Sequence, residues 1–445
     1  MDIAKLIQII IFTIVNIGVF YFGGKKFYHI YKNVKLGKDQ AIEGDSLQRL
    51  KNVILIALGQ KKMFKEVGPA LLHLCVYIAF LITQIELIEI FIDGFTGGHR
   101  VLYHLFEGSA FLTGLYVLVI NSIEILSVFA LIATFIFLYR RNLLKVPRLV
   151  RSEMNGWPKL DANIILFAEI YLVTCIFMMN GGDQALHNNS YPFVLSGALS
   201  SALFSGLGEG ALHAIERIGW WGHILGVLAF FVYLPYSKHL HIMLAFPNVY
   251  FASLKENGFL PNMPEVTKEI KLMMNPDTAF AAPANGAEAE IPTFGAKDVQ
   301  DLPWTNLLAA YTCTECGRCT EQCPASQTGK KLSPRKVMMD TRDRLEEVAL
   351  NIRANGVFVD DGKSLISDEY VSVEELRACT TCNACVEACP VMISPLDIIV
   401  QLRRNLILEQ SNSPEEWNVM FSNIENNGAP WKFSPQDRFN WANEE

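Results

Sequence analysis

The sequence predicts an all-α protein in two parts, a five-helix transmembrane bundle followed by a helical, cysteine-rich domain. Three observations carry this. Hydrophobic residues make up 51% of the 445, mean hydropathy is +0.24, and the excess lies in the first 250 residues. Five stretches in that region are nearly free of charge and long enough for a membrane helix, which needs about 20 residues. Eight of the ten cysteines fall in two short runs near the C-terminal end. Room for two or three domains is divided as 1–250 (membrane), 251–297 (linker) and 298–445 (cysteine-rich domain). A net charge of −7 with a pI near 5.8 excludes nucleic acid as a natural partner.

The predicted spans are 6–24, 67–91, 108–139, 163–179 and 220–245. The first is uncharged and is followed by no small-residue cleavage site, so it reads as a span rather than a signal peptide. The third and fourth carry one carboxylate each, Glu124 and Glu169. None shows the polar stripe of a water-soluble core helix. Between the fourth and fifth, PFVLSGALSSALF is too short to cross and reads as an outer-surface or re-entrant piece. Ten lysines and arginines lie between Lys25 and Lys65 and six between Arg140 and Lys159, against Arg100 and Arg217 in the opposite loops. The positive-inside bias then puts the N-terminus outside and the chain after residue 245 in the cytoplasm, as for a multi-pass protein of the inner membrane. Thiolate ligands need a reducing compartment, which leads to the same side.

Asn275 to Lys297 is rich in Ala, Pro and Gly and reads as linker. Beyond it, Ser333-Pro334, the capping box Ser372/Glu375, and Ser394-Pro395 with Asp397 each mark a helix start. Cys313, Cys316, Cys319 and Cys323-Pro324 have the spacing C-x2-C-x2-C-x3-C-P, which Cys379, Cys382, Cys385 and Cys389-Pro390 repeat. Zinc sites come as separated C-x2-C pairs rather than runs of four. In two-cluster iron–sulfur proteins the fourth cysteine of such a run ligates the other cluster. The expected sets are therefore Cys313, Cys316, Cys319 and Cys389 for one [4Fe–4S] cluster, and Cys379, Cys382, Cys385 and Cys323 for the other. Cys75 and Cys175 stand alone in apolar helices and read as inert buried thiols.

His223 and His241 are 18 residues apart, five full turns if the helix runs unbroken, which places both rings on one face about 27 Å apart. His239 then points to the opposite face. His73 lies about two turns inside the cytoplasmic end of the second span, level with His241. Two neutral imidazoles from different helices make a bis-histidine haem b site, and ligation offsets the cost of burying them in lipid. His73 and His241 are the expected pair, with His239 as alternative ligand or propionate partner. His223 would serve an outer haem, with His213 first among the candidate mates, then His104 and His99. Glu124 and Glu169 read either as proton or quinone contacts or as carboxyls bonded to a facing helix.

The fifth span, with WWGHILGVLAFFVYLPYSKHLHIMLAF, resembles the last helix of nitrate reductase gamma subunits, in which a histidine at each end of an 18-residue interval binds one of two b haems. His223 and His241 match those positions and His73 the first ligand of the second helix. Thr83 stands where that family has its other ligand. The cysteine segments are similar to membrane-bound Fe–S oxidoreductases related to heterodisulfide reductase. Such proteins usually carry CCG domains, and no Cys-Cys-Gly occurs here, so the resemblance implies a CCG-containing Fe–S partner on a separate chain. The function it implies is electron transfer between that partner and a (mena)quinone in the lipid bilayer, through two [4Fe–4S] clusters and one or two haems b. No nucleophile, hydride-binding glycine loop or acid–base pair is evident, so catalytic residues are not expected here. Two other readings are a self-sufficient quinone oxidoreductase for a carrier such as electron-transferring flavoprotein, and a redox sensor or assembly anchor.

Overall fold

The computed structural model describes residues 3–187, 191–275 and 293–443. Five helices in it are long and apolar enough to cross a membrane: α1 (Ile3–Val34), α2 (Val67–Thr96), α3 (Ala110–Asn142), α4 (Trp157–Leu186) and α5 (Glu209–Tyr233). The first four continue past the stretches their hydropathy marked, because amphipathic turns at the ends extend the helix beyond the hydrocarbon core. The fifth is displaced rather than lengthened. It starts eleven residues before the predicted 220, and regular α-helix ends at Tyr233, where Pro235 lacks the N–H that the next turn would require. Two single 3₁₀ turns, Leu234–Tyr236 and Lys238–Leu240, lead to a new helix, α6 (His241–Phe251).

Along α1, Ile7, Ile14 and Ile17 are more than half exposed, as expected of a helix whose outward face meets lipid. Within the bundle α4 and α5 pack most closely. Gly219, Gly222 and Gly226 line one face of α5, and a Cβ on Gly219 would stand 2.5 Å from the Met179 amide nitrogen. Small residues at such spacing let two backbones approach, which is how apolar helices gain contact where no hydrophobic drive separates protein from lipid. The PFVLSGALSSALF segment forms a short helix, Val194–Leu199, continued by Ser200–Phe204.

The cysteine-rich domain is built on α7 (Trp304–Thr312), α8 (Pro334–Asn355) and α9 (Pro395–Leu408). The three predicted helix starts are present. Ser333 Oγ accepts from the Lys336 amide at 3.4 Å, Ser394 Oγ from Asp397 at 3.3 Å, and Ser372 and Glu375 cap each other. No strand occurs among the described residues. Leu307, Val337, Leu345, Leu376, Ile398 and Leu402 are fully buried, and Ile30 and Val34 of α1 and Leu240 join the same core. The domain thus packs directly on the end of the bundle that carries both basic loops. Backbone pairing reinforces the contact, with the Lys38 amide donating to Leu302 O at 2.9 Å and Trp304 N to Lys38 O at 3.1 Å. Of the predicted linker, 251–275 and 293–297 are described, the former containing the helix Pro264–Met274; 276–292 lies outside the described residues.

Candidate cofactor centres

The two cysteine runs fold into loops of the same backbone form. In the first, Glu315 and Gly317 have φ of +54° and +77°; at the corresponding positions of the second, Thr381 and Asn383 have +57° and +63°. Left-handed residues alternating with ordinary ones turn successive N–H groups toward one point, the concavity that suits an anionic centre. The Thr381 amide donates to Cys379 Sγ at 3.4 Å and Ile393 N to Cys389 Sγ at 3.3 Å, bonds that tune a ligating sulfur. At Gly317 an added Cβ would meet Arg335 Nη1 at 2.5 Å, so the guanidinium behind the turn favours glycine there, whereas Asn383 takes the same conformation in the second loop.

Cys313, Cys316, Cys319 and Cys389 line a single cavity together with Gly317, Arg335 and Ile393. The remaining four lie together, Cys323 and Cys382 near Cys379 and Cys385, which pack with Cys319 against Leu396 and Val400. Burial pushes the Cys313 and Cys385 thiols up to about 12 and Cys389 up to about 11, with neighbouring sulfurs adding to the effect. Four crowded thiols of this kind become thiolates when a metal centre supplies the opposing charge, so the donor set fits an iron–sulfur cluster. Cys382 alone of the eight is exposed.

Charged side chains bind the first loop to the membrane helices. The carboxylate of Glu315, 4% exposed, accepts from Lys238 Nζ at 2.5 Å and Arg342 Nη1 at 2.8 Å. Burial alone would raise its pKa, but those two cations hold it below the usual carboxylate range. Arg318, beside Cys319, donates to Met63 O at 3.1 Å and pairs with Glu66 at 3.1 Å. Arg335 is fully buried and donates to Arg148 O at 2.6 Å and Glu153 at 2.7 Å. Arg148 grips both oxygens of Glu66, at 2.8 and 2.7 Å, a bidentate geometry that fixes orientation.

The break at Pro235 changes the histidine geometry. His223 and His241 do not share a continuous helix, so five unbroken turns and a common face do not hold. Instead His239 and His241 lie side by side, ring centroids 5.4 Å apart, and His73 of α2 approaches both. His239 therefore joins the group rather than pointing away. Nδ1–H of His73 donates to Gln60 Oε1 at 3.2 Å, that of His241 to Lys238 O at 2.9 Å, and that of His223 to Leu172 O at 3.1 Å. The two carbonyls can only accept, so His241 and His223 keep Nε2 with its lone pair, the form a haem iron requires, and the same tautomer of His73 pairs with Gln60 Oε1. His239 Nδ1 is buried without a partner. These residues fit a haem at the cluster-side end of the bundle.

The candidate mates of His223 are placed elsewhere. His213 and His104 are exposed beside Glu209 and Glu107, and His99 bonds Asp183 at 2.9 Å. Glu124, fully buried, accepts from the Leu195 and Ser196 amides at 3.0 and 3.2 Å and from the Ser196 hydroxyl. It closes the start of the 194–199 helix, a structural use of both oxygens. Glu169 makes no hydrogen bond among the described residues. Sequence reasoning missed a denser group at the far end of the bundle, where Glu86, Glu89 and Asp93 of α2 surround Arg100 with Asn180 and Asp183 of α4. The signal was present as three carboxylates at i, i+3 and i+7 on one helix face.

Residues 312–393 match the 4Fe-4S dicluster domain family. The chain is 28% identical over 444 residues to the probable iron-sulfur-binding oxidoreductase FadF of Bacillus subtilis, covering 92% of this chain and 57% of that one. It is 26% identical over 464 residues to the EtfAB:quinone oxidoreductase of Syntrophomonas wolfei, covering 98% and 59%. It is also 25% identical over 148 residues to one component of the dihydromethanophenazine:CoB–CoM heterodisulfide reductase of Methanosarcina mazei, covering 33% and 36%. The chain thus spans somewhat under three fifths of the first two relatives. No solved structure matches it. The protein carries an iron–sulfur dicluster domain joined to apolar helices that suit a membrane.

Proposed function

We propose that this chain passes electrons between an aqueous redox partner and quinone in the bilayer. The observation that supports the reading is the attachment of the first cysteine loop to the helix ends that carry the histidine group. Exposed Cys382 marks the solvent end, and the loop of Cys313–Cys319 is held by Arg318, Glu315 and Lys238 against the helix ends that carry His73 and His241. Cys313, Cys316, Cys319 and Cys389 would hold one [4Fe–4S] cluster, Cys379, Cys382, Cys385 and Cys323 the other, and His73 with His241 or His239 a haem b; these groups supply one-electron carriers. His223 would hold a second haem. The protein's own residues fix ligand spacing, partly bury the first set and place positive charge from Arg335 and Lys62 beside it. The division into membrane domain 1–250, linker 251–297 and cluster domain 298–445, with the latter cytoplasmic, belongs to the same reading. It is supported by the cluster domain's seat on the end that bears the basic loops.

The donor is proposed to be a CCG-type Fe–S chain. A flavoprotein of the electron-transferring class docking directly is the second reading, favoured by the relative named EtfAB:quinone oxidoreductase. A menaquinol analogue added anaerobically to the oxidised, purified chain should reduce both the iron–sulfur signals and haem absorbance. Centres that dithionite reduces but quinol does not would overturn the proposal. Turnover with an electron-transferring flavoprotein and no further protein chain would select the second reading.

A further inference from the structure

At the end of the bundle away from the cysteines, Glu86, Glu89, Ile90 and Asp93 of α2 face Asp183 of α4 and Glu216 and Trp220 of α5. His99 and Arg100, from the α2–α3 loop, close the group. The space among them is about 10 Å³, room for a single water. Most of these carboxylates are fully bonded. Glu89 accepts from Tyr116 OH at 2.6 Å and from the Leu102 and Tyr103 amides at 3.0 and 3.3 Å. Asp93 accepts from the Val101 and Arg100 amides at 3.0 and 2.9 Å. Asp183 holds Arg100 Nε and His99 Nε2, each at 2.9 Å, and Glu216 holds Arg217.

Glu86 is different. Its Oε1 accepts from Asn180 Nδ2 at 3.0 Å, while Arg100 Nη1 stays 3.7 Å away, beyond a hydrogen bond. Its Oε2 has no partner at all, although the residue is only 2% exposed. Glu124, equally deep, has both oxygens bonded, so depth does not explain the free oxygen. The charged and titratable groups facing Glu86 are Arg100, Glu89, Glu124, Asp93, Asp183, Glu216, His99 and Tyr116. Among the described residues, Arg100 lies within the group and Arg217 pairs with Glu216 at its edge, two cations against five further carboxylates. A carboxyl so placed is held more cheaply as the acid, with its O–H aimed into the water-sized space. His99, 38% exposed at its side chain and bonded to Asp183, links that space to the surface. Trp220, one turn before His223 on α5, closes the inner wall.

We propose that Glu86 is a proton carrier that connects the bundle interior with the face opposite the clusters. The inference rests on the quinone reading above and adds the side from which protons come. Reducing one quinone takes two electrons, arriving singly from the cluster side, and two protons that convert both carbonyl oxygens to hydroxyls. Glu86 gives up a proton inward and regains it from cavity water and the His99–Asp183 pair. Electrons and protons therefore enter from opposite faces, and the reaction separates charge across the membrane.

The test uses the full chain in liposomes containing menaquinone, clusters outward, with a pH dye inside and dithionite, which does not cross lipid, added outside. Quinone reduction above the protein-free rate should make the lumen alkaline. Glu86→Gln should slow both at least about tenfold while dithionite still reduces the iron–sulfur centres as fast as in the parent. Glu86→Asp, which keeps the carboxyl, should restore lumenal uptake. The infrared difference spectrum between oxidised and reduced protein should contain a deuterium-sensitive carboxylic-acid band that Glu86→Gln removes. Quinol formation with a flat lumenal pH, or an unchanged infrared band in Glu86→Gln, overturns the inference. Reduced centres with no quinol formed in the parent protein would instead overturn the quinone reading itself.

Discussion

Replacing Glu315 by glutamine should loosen the first cysteine loop from the membrane helices. The substitution keeps the shape but removes the one negative charge shared by Lys238, at 2.5 Å, and Arg342, at 2.8 Å. Breaking a buried ion pair by deleting one partner costs about 3–5 kcal/mol, because the other charge is left uncompensated. Lys238 retains the Pro158 carbonyl at 2.7 Å and a distant Asp161 at 3.9 Å, and Arg342 retains Asp343 at 3.1 Å. The lower end, about 3 kcal/mol, is therefore expected. That corresponds to roughly two decades in the opening equilibrium of the loop. Hydrogen exchange of the amides of 314–320 measures this directly, and their protection should fall about a hundredfold. Lys238→Met together with Glu315→Gln should cost about 1–3 kcal/mol less than the two single changes added. Exchange within about threefold of the parent, or strict additivity, would show that this contact does not hold the loop.

The crossed cysteine sets predict a pattern in pairs of substitutions. Cys389→Ala should lower iron from about eight to about four atoms per chain; adding Cys316→Ala should remove no more, whereas adding Cys382→Ala should remove nearly all. His73→Ala should remove the cluster-side haem from a pyridine haemochrome count, leaving at most the haem assigned to His223, whereas His104→Ala and His213→Ala should leave the count unchanged. For Glu153 burial raises the pKa, but Arg335 outweighs it and holds the carboxyl below its usual value. Its contribution to docking is thus complete above the unfolded pKa of about 4.5 and is lost as pH falls through the lower folded value. Protease accessibility of the 143–156 loop should rise in that acid window, and less so in Glu153→Gln, which lacks the pairing at every pH.

Much of the architecture was written locally. The caps at Ser333, Ser372 and Ser394 depend on residues three positions apart, and each is found where the sequence placed it. The five apolar helices follow from hydropathy, although their ends do not, because flanking amphipathic turns carry no hydropathy signal. Extrapolating α5 through Pro235 gave the wrong relation of His223 to His241, since the period of a helix is informative only while its hydrogen bonds continue. Glu124 could be read from sequence as a proton group or a bonded carboxyl, and its partners at Leu195 and Ser196 come from a segment seventy residues away.

By itself, then, the amino-acid order determined the chemistry of the ligands: thiolates at intervals that a tight loop can present, and apolar lengths that lipid can accept. Only the tertiary structure decided which groups meet. It turned His239 beside His241, seated the first cysteine loop on the helix ends through Glu315 and Arg318, and left one oxygen of Glu86 without a donor. The reason is physical: spacing fixes what a residue can reach within a few turns, whereas a cavity, a charge balance or an unpaired atom exists only when distant segments pack.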